Sequence, residues 1–336
     1  MNRFDYIRPA SLEEALAAGA RPGAAYLAGG TNLLDLMKVG VAAPALLVDV
    51  TRLPGLDAIE ETGEGDLRIG AMVRNSDIVR APEIKALFPM VAEALLSGAS
   101  AQLRNAATAG GNVLQRPRAA LLDGMRGDDR DLAVLGWTDA CACVHPSDFA
   151  VALAALDARL EIAGAAGLRE VPLADFLSLP EGASEAVPAL APGELLTAVV
   201  LPAAAARAAG HARYVKLRER TSFAFALVSV AAALEMEGGR IRSARLALGG
   251  VAHKPWRTPA AEAALAGAAS GPEVFAQAAA LALEGAAPSG DNAFKIELAR
   301  RLVARALALA AAGTPARVPA LPASPLDADH GAPAYV

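Results

Sequence analysis

Two glycines between an apolar segment and the start of a short helical pattern constrain this chain more than any other feature. The stretch is Tyr26-Leu27-Ala28-Gly29-Gly30-Thr31-Asn32-Leu33-Leu34. Glycine lets the backbone turn tightly and leaves neighbouring amide N–H groups uncovered by side chains. Uncovered amides beside a helix N-terminus form a seat for a pyrophosphate. Thr108-Ala109-Gly110-Gly111-Asn112 repeats the chemistry about eighty residues later. Either Gly-Gly alone is weak evidence and reads first as an ordinary turn. Two of them, each with Thr and Asn beside the glycines, point to a nucleotide clamp.

Composition narrows the class of protein. The 336 residues are enough for about two or three domains. Hydrophobic residues make up 54%, so a large core is easily buried. Aromatic residues are only 4%, the net charge is -5, and no basic stretch tracks a phosphate backbone, which argues against nucleic-acid binding. Cys141 and Cys143 are the only cysteines; they form no disulfide framework, and their spacing suits one face of a strand. The N-terminus lacks the apolar run of a secretion signal. Ala-rich runs near 203–209, 260–269 and 306–312 are too short or interrupted to span a bilayer.

The patterning predicts three parts and a tail. Residues 1–55 read as a β-α-β-α-β unit: strands at Phe4–Ile7, Ala24–Ala28 and Leu46–Asp49, and helices after Ser11 and at Leu33–Val39. Ser11-Leu12-Glu13-Glu14 is a capping box. Residues 56–179 read as a second, α+β part. It has hairpins at Ala58–Ile69 and Ala158–Pro172, helical turns over 75–96, a strand at Cys141–Val144 and a helix from Ser147 to Leu156. Residues 180–192 form a Pro- and Ala-rich connection. Residues 190–312 read as a strand layer covered by helices. Its strands are Leu195–Leu201, Gly210–Lys216 and Arg240–Gly249; Phe223–Glu235 suits a central strand or a buried helix. Thr258-Pro259 supplies an N-cap and first position for one helix. The 313–336 tail has prolines at 315, 319, 322 and 325 and is expected to be extended.

Several stretches together resemble the FAD-binding subunits of the xanthine dehydrogenase, aldehyde oxidoreductase and carbon monoxide dehydrogenase family of molybdenum hydroxylases. They are Ala28-Gly29-Gly30-Thr31-Asn32-Leu33, Ile69-Gly70-Ala71, Gln102-Leu103-Arg104-Asn105, Thr108-Ala109-Gly110-Gly111-Asn112 and His145-Pro146-Ser147-Asp148. Tyr214-Val215-Lys216-Leu217-Arg218-Glu219-Arg220 and Gly249-Gly250-Val251-Ala252-His253-Lys254-Pro255-Trp256-Arg257 complete the set. The run Ser222-Phe223-Ala224-Phe225-Ala226-Leu227-Val228-Ser229 is most similar to the bacterial periplasmic aldehyde oxidoreductase branch. The resemblance implies an α+β, PCMH-type FAD-binding fold of two α/β subdomains, followed by an antiparallel sheet with packed helices. It implies FAD as cofactor and two partners, a molybdenum-cofactor large subunit and a [2Fe–2S] small subunit. Electrons would leave through the flavin to a soluble acceptor. Export in that branch rests on a partner, so cytoplasm and periplasm both stay open. The sequence agrees that this is no Rossmann fold, since no Gly-x-Gly-x-x-Gly follows a strand.

One departure separates the chain from that branch, whose members hold a [4Fe–4S] cluster on cysteines after the second Gly-Gly-Asn. Here residues 113–127 contain no cysteine. Such a cluster ordinarily needs four thiolates and the chain has two. FAD alone is therefore expected, with 116–131 a surface loop.

Residue by residue, the resemblance implies that Ala28, Gly29, Gly30, Thr31, Asn32 and Leu33 seat the pyrophosphate. Thr108, Gly111 and Asn112, with Leu103 nearby, would form the opposing wall; the alternative for Asn112 is an Asx turn in its own loop. Asp148 is either a helix N-terminal residue or a ligand for a ribityl hydroxyl. Gly70 would pass close to the cofactor because it has no Cβ. Arg104 reads as a local ion-pair former. Lys216 and Tyr214 point the same way along a strand. Lys216 is the candidate catalytic residue: the resemblance carries it to the flavin ring, where a cation stabilises charge near N1 and O2 and raises the reduction potential. The histidines form no metal-ligand spacing such as His-Glu-x-x-His, and no nucleophile–base pair is evident. Two alternatives stay open: a stand-alone PCMH-type FAD oxidase or reductase, and an assembly subunit that has lost FAD.

Overall fold

The computed structural model describes residues 1–116, 129–139, 141–179 and 190–316. Most of the expected surface loop, the Pro-rich connection and the tail lie outside the described residues.

The first part is the expected alternation: β1 (Asp5–Ile7), α1 (Leu12–Gly19), β2 (Ala24–Leu27), α2 (Leu33–Lys38) and β3 (Leu46–Asp49). All three strands are parallel, with β3 between β1 and β2. The capping box starts α1 as its residues require. Ser11 Oγ accepts from Glu14 N at 3.2 Å, and Glu14 Oε2 accepts in return from Ala10 N at 2.8 Å. Asp49, at the end of the central strand, accepts from Arg8, Thr51 and the Tyr6 hydroxyl. These bonds outweigh burial and hold its carboxyl at about 2.

The second part contains β4 (Ile59–Glu61), β5 (Leu67–Gly70), α3 (Asn75–Arg80), α4 (Pro82–Leu87), α5 (Pro89–Ser97), α6 (Ala101–Arg104) and α7 (Ala109–Val113). It continues with α8 (Asp148–Ala155), β6 (Arg159–Gly164), β7 (Gly167–Pro172), α9 (Leu173–Phe176) and β8 (Leu195–Leu201). Both hairpins form as their alternation predicts. Two details differ from the sequence reading. Residues 141–144 form no strand, only an isolated bridge between Thr138 and Cys141. Leu195–Leu201 does not join the later strands. It lies between β5 and β6, antiparallel to both, in a sheet ordered β4-β5-β8-β6-β7. All seven of its residues are buried, so its apolar pattern specifies a central strand without saying in which sheet.

The third part has β9 (Ala212–Leu217), β10 (Val228–Glu237), β11 (Arg240–Gly249), β12 (Trp256–Arg257), α10 (Pro259–Leu265), α11 (Pro272–Ala282) and α12 (Phe294–Ala312). The antiparallel sheet is ordered β12-β11-β10-β9. Residues 228–234 are strand rather than helix, and they read as one apolar run because both faces are covered. Ala231, Ala233 and Ala247 join the core of the second part. Val230, Leu234, Leu246 and Leu248 pack under the helices. Small side chains on the first face bring the two parts close. Thr258 precedes α10 and Pro259 begins it, but the Thr258 side chain makes no cap bond.

A buried pair fastens this sheet to α5. Glu93 accepts from Arg213 Nε at 2.9 Å and from Tyr214 N at 2.6 Å. Burial raises the Glu93 pKa despite those partners. The attachment brings the edge strand β9 against the helices of the second part, where it closes a cavity.

Candidate functional site

That cavity, of about 570 Å³, is bounded by all three parts of the chain. The volume lies within the ~300–1,000 Å³ typical of small-molecule sites. Its wall contains seven of the residues singled out from the sequence: Thr31, Asn32, Leu103, Gly111, Asn112, Asp148 and Lys216.

The first Gly-Gly loop approaches the second directly. A Cβ on Gly29 would sit 1.9 Å from Ala106 O, so only glycine permits the approach. Gly30 has φ +72°, which favours glycine for a different reason. Ala28, Gly29, Gly30 and Leu33 thus build the turn and lie outside the cavity wall, while Thr31 and Asn32 line it. No backbone carbonyl among the described residues accepts from the amides of Thr31, Asn32 or Leu33. These are the bare amides that the pattern predicts at the start of a helix.

The second loop differs. Thr108 caps α7, its Oγ accepting from Gly111 N at 3.3 Å. Ala109 N and Gly110 N donate to Val73 O and Ala71 O, each at 2.9 Å. Its amides are therefore committed within the chain, and Thr108 lies outside the wall. Gly111 and Asn112 do line the cavity. Asn112 Oδ1 accepts from Ser147 Oγ at 2.6 Å and Gln115 Nε2 at 3.1 Å. Gly70 is displaced from its expected place as well. It packs on backbone, where an added Cβ would meet Leu56 O at 2.3 Å, and it does not line the cavity.

Asp148 starts α8 at the cavity wall, behind the Ser147 cap whose Oγ accepts from Ala150 N at 2.9 Å. Both its oxygens are engaged. Tyr214 OH donates to Oδ1 at 2.6 Å and Lys216 Nζ to Oδ2 at 2.7 Å. The i, i+2 spacing does aim Tyr214 and Lys216 the same way, at one carboxylate. Burial, then Asp148, raises the Tyr214 pKa well above 10, so its hydroxyl stays a donor. Lys216 also donates to Ser97 O at 3.2 Å and Ala224 O at 2.8 Å. An ammonium has three donors, and all three are used. The lysine that the resemblance carries to the flavin ring is buried and paired, and it ties Asp148, α5 and the 224 segment together.

Other wall residues were not legible in advance. Asn75 begins α3, and its Oδ1, like Asn32 Oδ1, is buried without a hydrogen-bond partner among the described residues. Arg104 was expected to form an ion pair. It donates instead to the carbonyls of Gly98 at 2.7 Å and Leu96 at 3.4 Å. Burial, then Arg218, lowers its pKa. Phe223 and Phe225 stand at the mouth, 57% and 41% exposed, and Phe223 has φ +50°. A bulky residue at positive φ is a marked outlier, and outliers of this kind gather at functional sites. His145, behind the wall, is kept neutral: burial and the neighbouring His253 push its pKa down to about 4.

These features fit FAD. Two orphaned acceptors, Asn32 Oδ1 and Asn75 Oδ1, match a ligand rich in hydroxyl donors. Bare amides at Thr31 and Asn32 match its phosphates. A wall formed by all three parts, with Leu95, Leu103, Phe149 and Leu227 among its apolar side chains, matches its flat ring systems.

Comparison with known proteins agrees. The family described as "FAD binding domain in molybdopterin dehydrogenase" matches residues 2–204, and "CO dehydrogenase flavoprotein C-terminal domain" matches residues 212–310. The chain is 45% identical over 334 residues to the aldehyde oxidoreductase FAD-binding subunit PaoB of Escherichia coli (strain K12), covering 93% of this chain and 99% of the relative. It is 31% identical over 311 residues to the carbon monoxide dehydrogenase medium chain of Hydrogenophaga pseudoflava, covering 91% and 96%. Among solved structures, quinoline 2-oxidoreductase from Pseudomonas putida 86 matches with a TM-score of 0.76 and 28% identity, over 93% of this chain and 98% of that one. The chain belongs to the PCMH-type FAD-binding subunits of the molybdenum hydroxylases, and its role is flavin-based electron transfer within a multi-subunit oxidoreductase.

Proposed function

We propose that this chain is the medium subunit of an aldehyde-oxidising molybdenum hydroxylase. A molybdenum-cofactor large subunit and a [2Fe–2S] small subunit are its partners. FAD, when bound, supplies the redox chemistry that passes electrons from the iron–sulfur partner to a soluble external acceptor. The 45% identity to an aldehyde oxidoreductase subunit over nearly the whole of both chains supports the aldehyde class. No helix among the described residues is long and apolar enough to cross a membrane.

The chain's own residues hold and tune the cofactor. Thr31 and Asn32 donate their amides to phosphate oxygens, and the side-chain carbonyls of Asn32 and Asn75 accept from cofactor hydroxyls. Arg104 adds a buried positive charge. Leu103, Gly111 and Asn112 wall the opposite side. Lys216 acts through its position and charge: it fixes Asp148, Ser97 and Ala224 and makes the field around the cofactor less negative than Asp148 alone would.

The observation carrying this reading is the convergence of Thr31, Asn32, Asn112 and Lys216, from all three parts, on one cavity with orphaned acceptors. The test is purification of the chain with its neighbouring gene products. One FAD per chain, with iron and molybdenum in stoichiometric subunits and aldehyde-driven bleaching of the flavin band, is the expected result. A chain that purifies alone, turns over an organic substrate and recruits no iron or molybdenum protein would overturn it.

A further inference from the structure

Behind the cavity wall lies a second group of chemistry-bearing side chains. Cys141, Cys143 and His253 are buried, at 6%, 6% and 4% exposure. One ligand atom from each, the two Sγ atoms and a ring nitrogen, all lie within 4.8 Å of one another. Cys141 Sγ is 3.4 Å from His253 Nδ1. Around a tetrahedral zinc ion, with Zn–S of about 2.3 Å and Zn–N of about 2.0 Å, ligand atoms stand roughly 3.5–3.8 Å apart. One pair already stands near that spacing, and the other two lie within 4.8 Å, so small side-chain adjustments close the site. We propose that Cys141, Cys143 and His253 bind a single zinc ion.

The backbone holds the ligands in place without a strand. Ala133 N donates to Ala142 O at 2.7 Å, and His145 N donates to Ala252 O at 3.1 Å. Val134 N and Leu135 N both donate to Val251 O at 2.9 Å. Residues 141–145 are therefore laced between 133–135 and 251–253, and extended backbone sends the side chains of 141 and 143 to the same side. His253 comes from the connection after β11, 112 residues further along the chain than Cys141. That distance is why spacing in the sequence gives no metal motif.

Ligand chemistry selects the ion. Two thiolates and an imidazole are soft to borderline donors, which suit zinc or copper(I) and not magnesium or calcium. Two thiolates and a neutral imidazole cancel the charge of Zn²⁺ but leave a net negative charge with Cu⁺. A buried site favours the neutral complex. A [4Fe–4S] cluster is excluded, since four thiolates are needed and the chain has two cysteines. Among the described residues no fourth His, Cys, Asp or Glu joins the group.

The ion's place in the fold gives it a task. From Cys143 the chain runs through His145 directly into Pro146, Ser147 and Asp148, which line the cavity. Zinc would staple that wall to the third part of the chain. It positions the wall and does not take part in electron transfer.

The test is metal analysis of the intact complex, where iron and molybdenum do not interfere with zinc. About one zinc per chain is expected, lost in Cys141→Ser, in Cys143→Ser and in His253→Asn. Cobalt(II) added to the reduced, chelator-treated wild-type complex should give a thiolate-to-cobalt charge-transfer band, which Cys143→Ser abolishes. The cobalt titration needs only the wild-type fold, so it decides the matter even where a variant fails to assemble. Equal zinc in wild type and variants, or a chelator-treated complex that takes up cobalt without the thiolate band, would overturn the proposal. One copper in place of zinc would overturn the choice of ion.

Discussion

Lys216 and Asp148 form a buried pair, with side chains 3% and 9% exposed. Removing one member leaves the other charge uncompensated, which typically costs about 3–5 kcal/mol, whereas replacing both is much milder. Lys216→Met should therefore destabilise the chain by about 3 kcal/mol, and Lys216→Met with Asp148→Asn should recover most of that loss. Chemical denaturation of the three proteins gives the coupling. In the single variant the uncompensated carboxylate makes the field at the cavity more negative, so the bound flavin's reduction potential should fall; potentiometric titration reads this. An unchanged potential would remove Lys216 from any role in tuning.

Gly29 permits a second residue-scale prediction. Gly29→Ala places a Cβ 1.9 Å from Ala106 O, and backbone on both sides must move. The two loops should separate, with a loss above about 2 kcal/mol and loss of FAD on gel filtration. Gly40→Ala is a useful contrast, because nothing lies within 4 Å of the Cβ site there, although its positive φ adds some strain. It should leave the flavin in place.

At the scale of single elements, α12 buries a lysine. Lys295 is 0% exposed and donates to Leu132 O at 2.7 Å. Burial lowers its pKa from 10.5 to about 8, against an opposing pull from Asp131. Between about pH 8 and 10.5 the unfolded chain keeps a proton that the folded chain has released, so this group makes stability rise with pH across that window. Lys295→Met should flatten that rise, as read from denaturation midpoints at the two ends of the window. Asp49 at the end of β3 has the same sign in an acidic window, since its pKa is also lowered. Its pKa is lowered to about 2, so its contribution is fully present at neutral pH and is lost as pH falls from about 4 towards 2.

At the scale of the whole molecule, the flavin-domain family match ends at residue 204, yet the cavity does not. Lys216, Phe223, Ala224 and Phe225 complete its wall from beyond that boundary. A chain cut after residue 204 keeps both Gly-Gly loops and all five strands of the β4–β8 sheet. It also exposes the core of the second part that Ala231, Ala233 and Ala247 cover and removes the Arg213, Tyr214 and Lys216 partners of Glu93 and Asp148. Its affinity for FAD should be at least about a hundredfold weaker, some 2.7 kcal/mol. Calorimetry on the fragment and the full chain would decide; equal affinity would confine the site to the first two parts.

What the sequence determined by itself was mainly local. Glycines at 29 and 30, the Ser11–Glu14 box, the alternating hairpins and the Thr258-Pro259 helix start act over a few residues, so the type and place of most elements could be read directly. The run of motifs from Ala28 to Arg257 identified the family for the same reason, each piece being short and contiguous. Only tertiary structure decided which sheet received Leu195–Leu201, why Gly70 is a glycine, and that Asn32 and Asn75 face one cavity. It also decided that Lys216 meets Asp148 across 68 residues, Tyr214 meets Glu93 across 121, and Cys141 meets His253 across 112. Such contacts leave no periodic trace, because an apolar or charged side chain is written the same way whichever partner it finds. Burial then fixes their consequences, pairing Lys216 with Asp148 and gathering three scattered residues into one cluster.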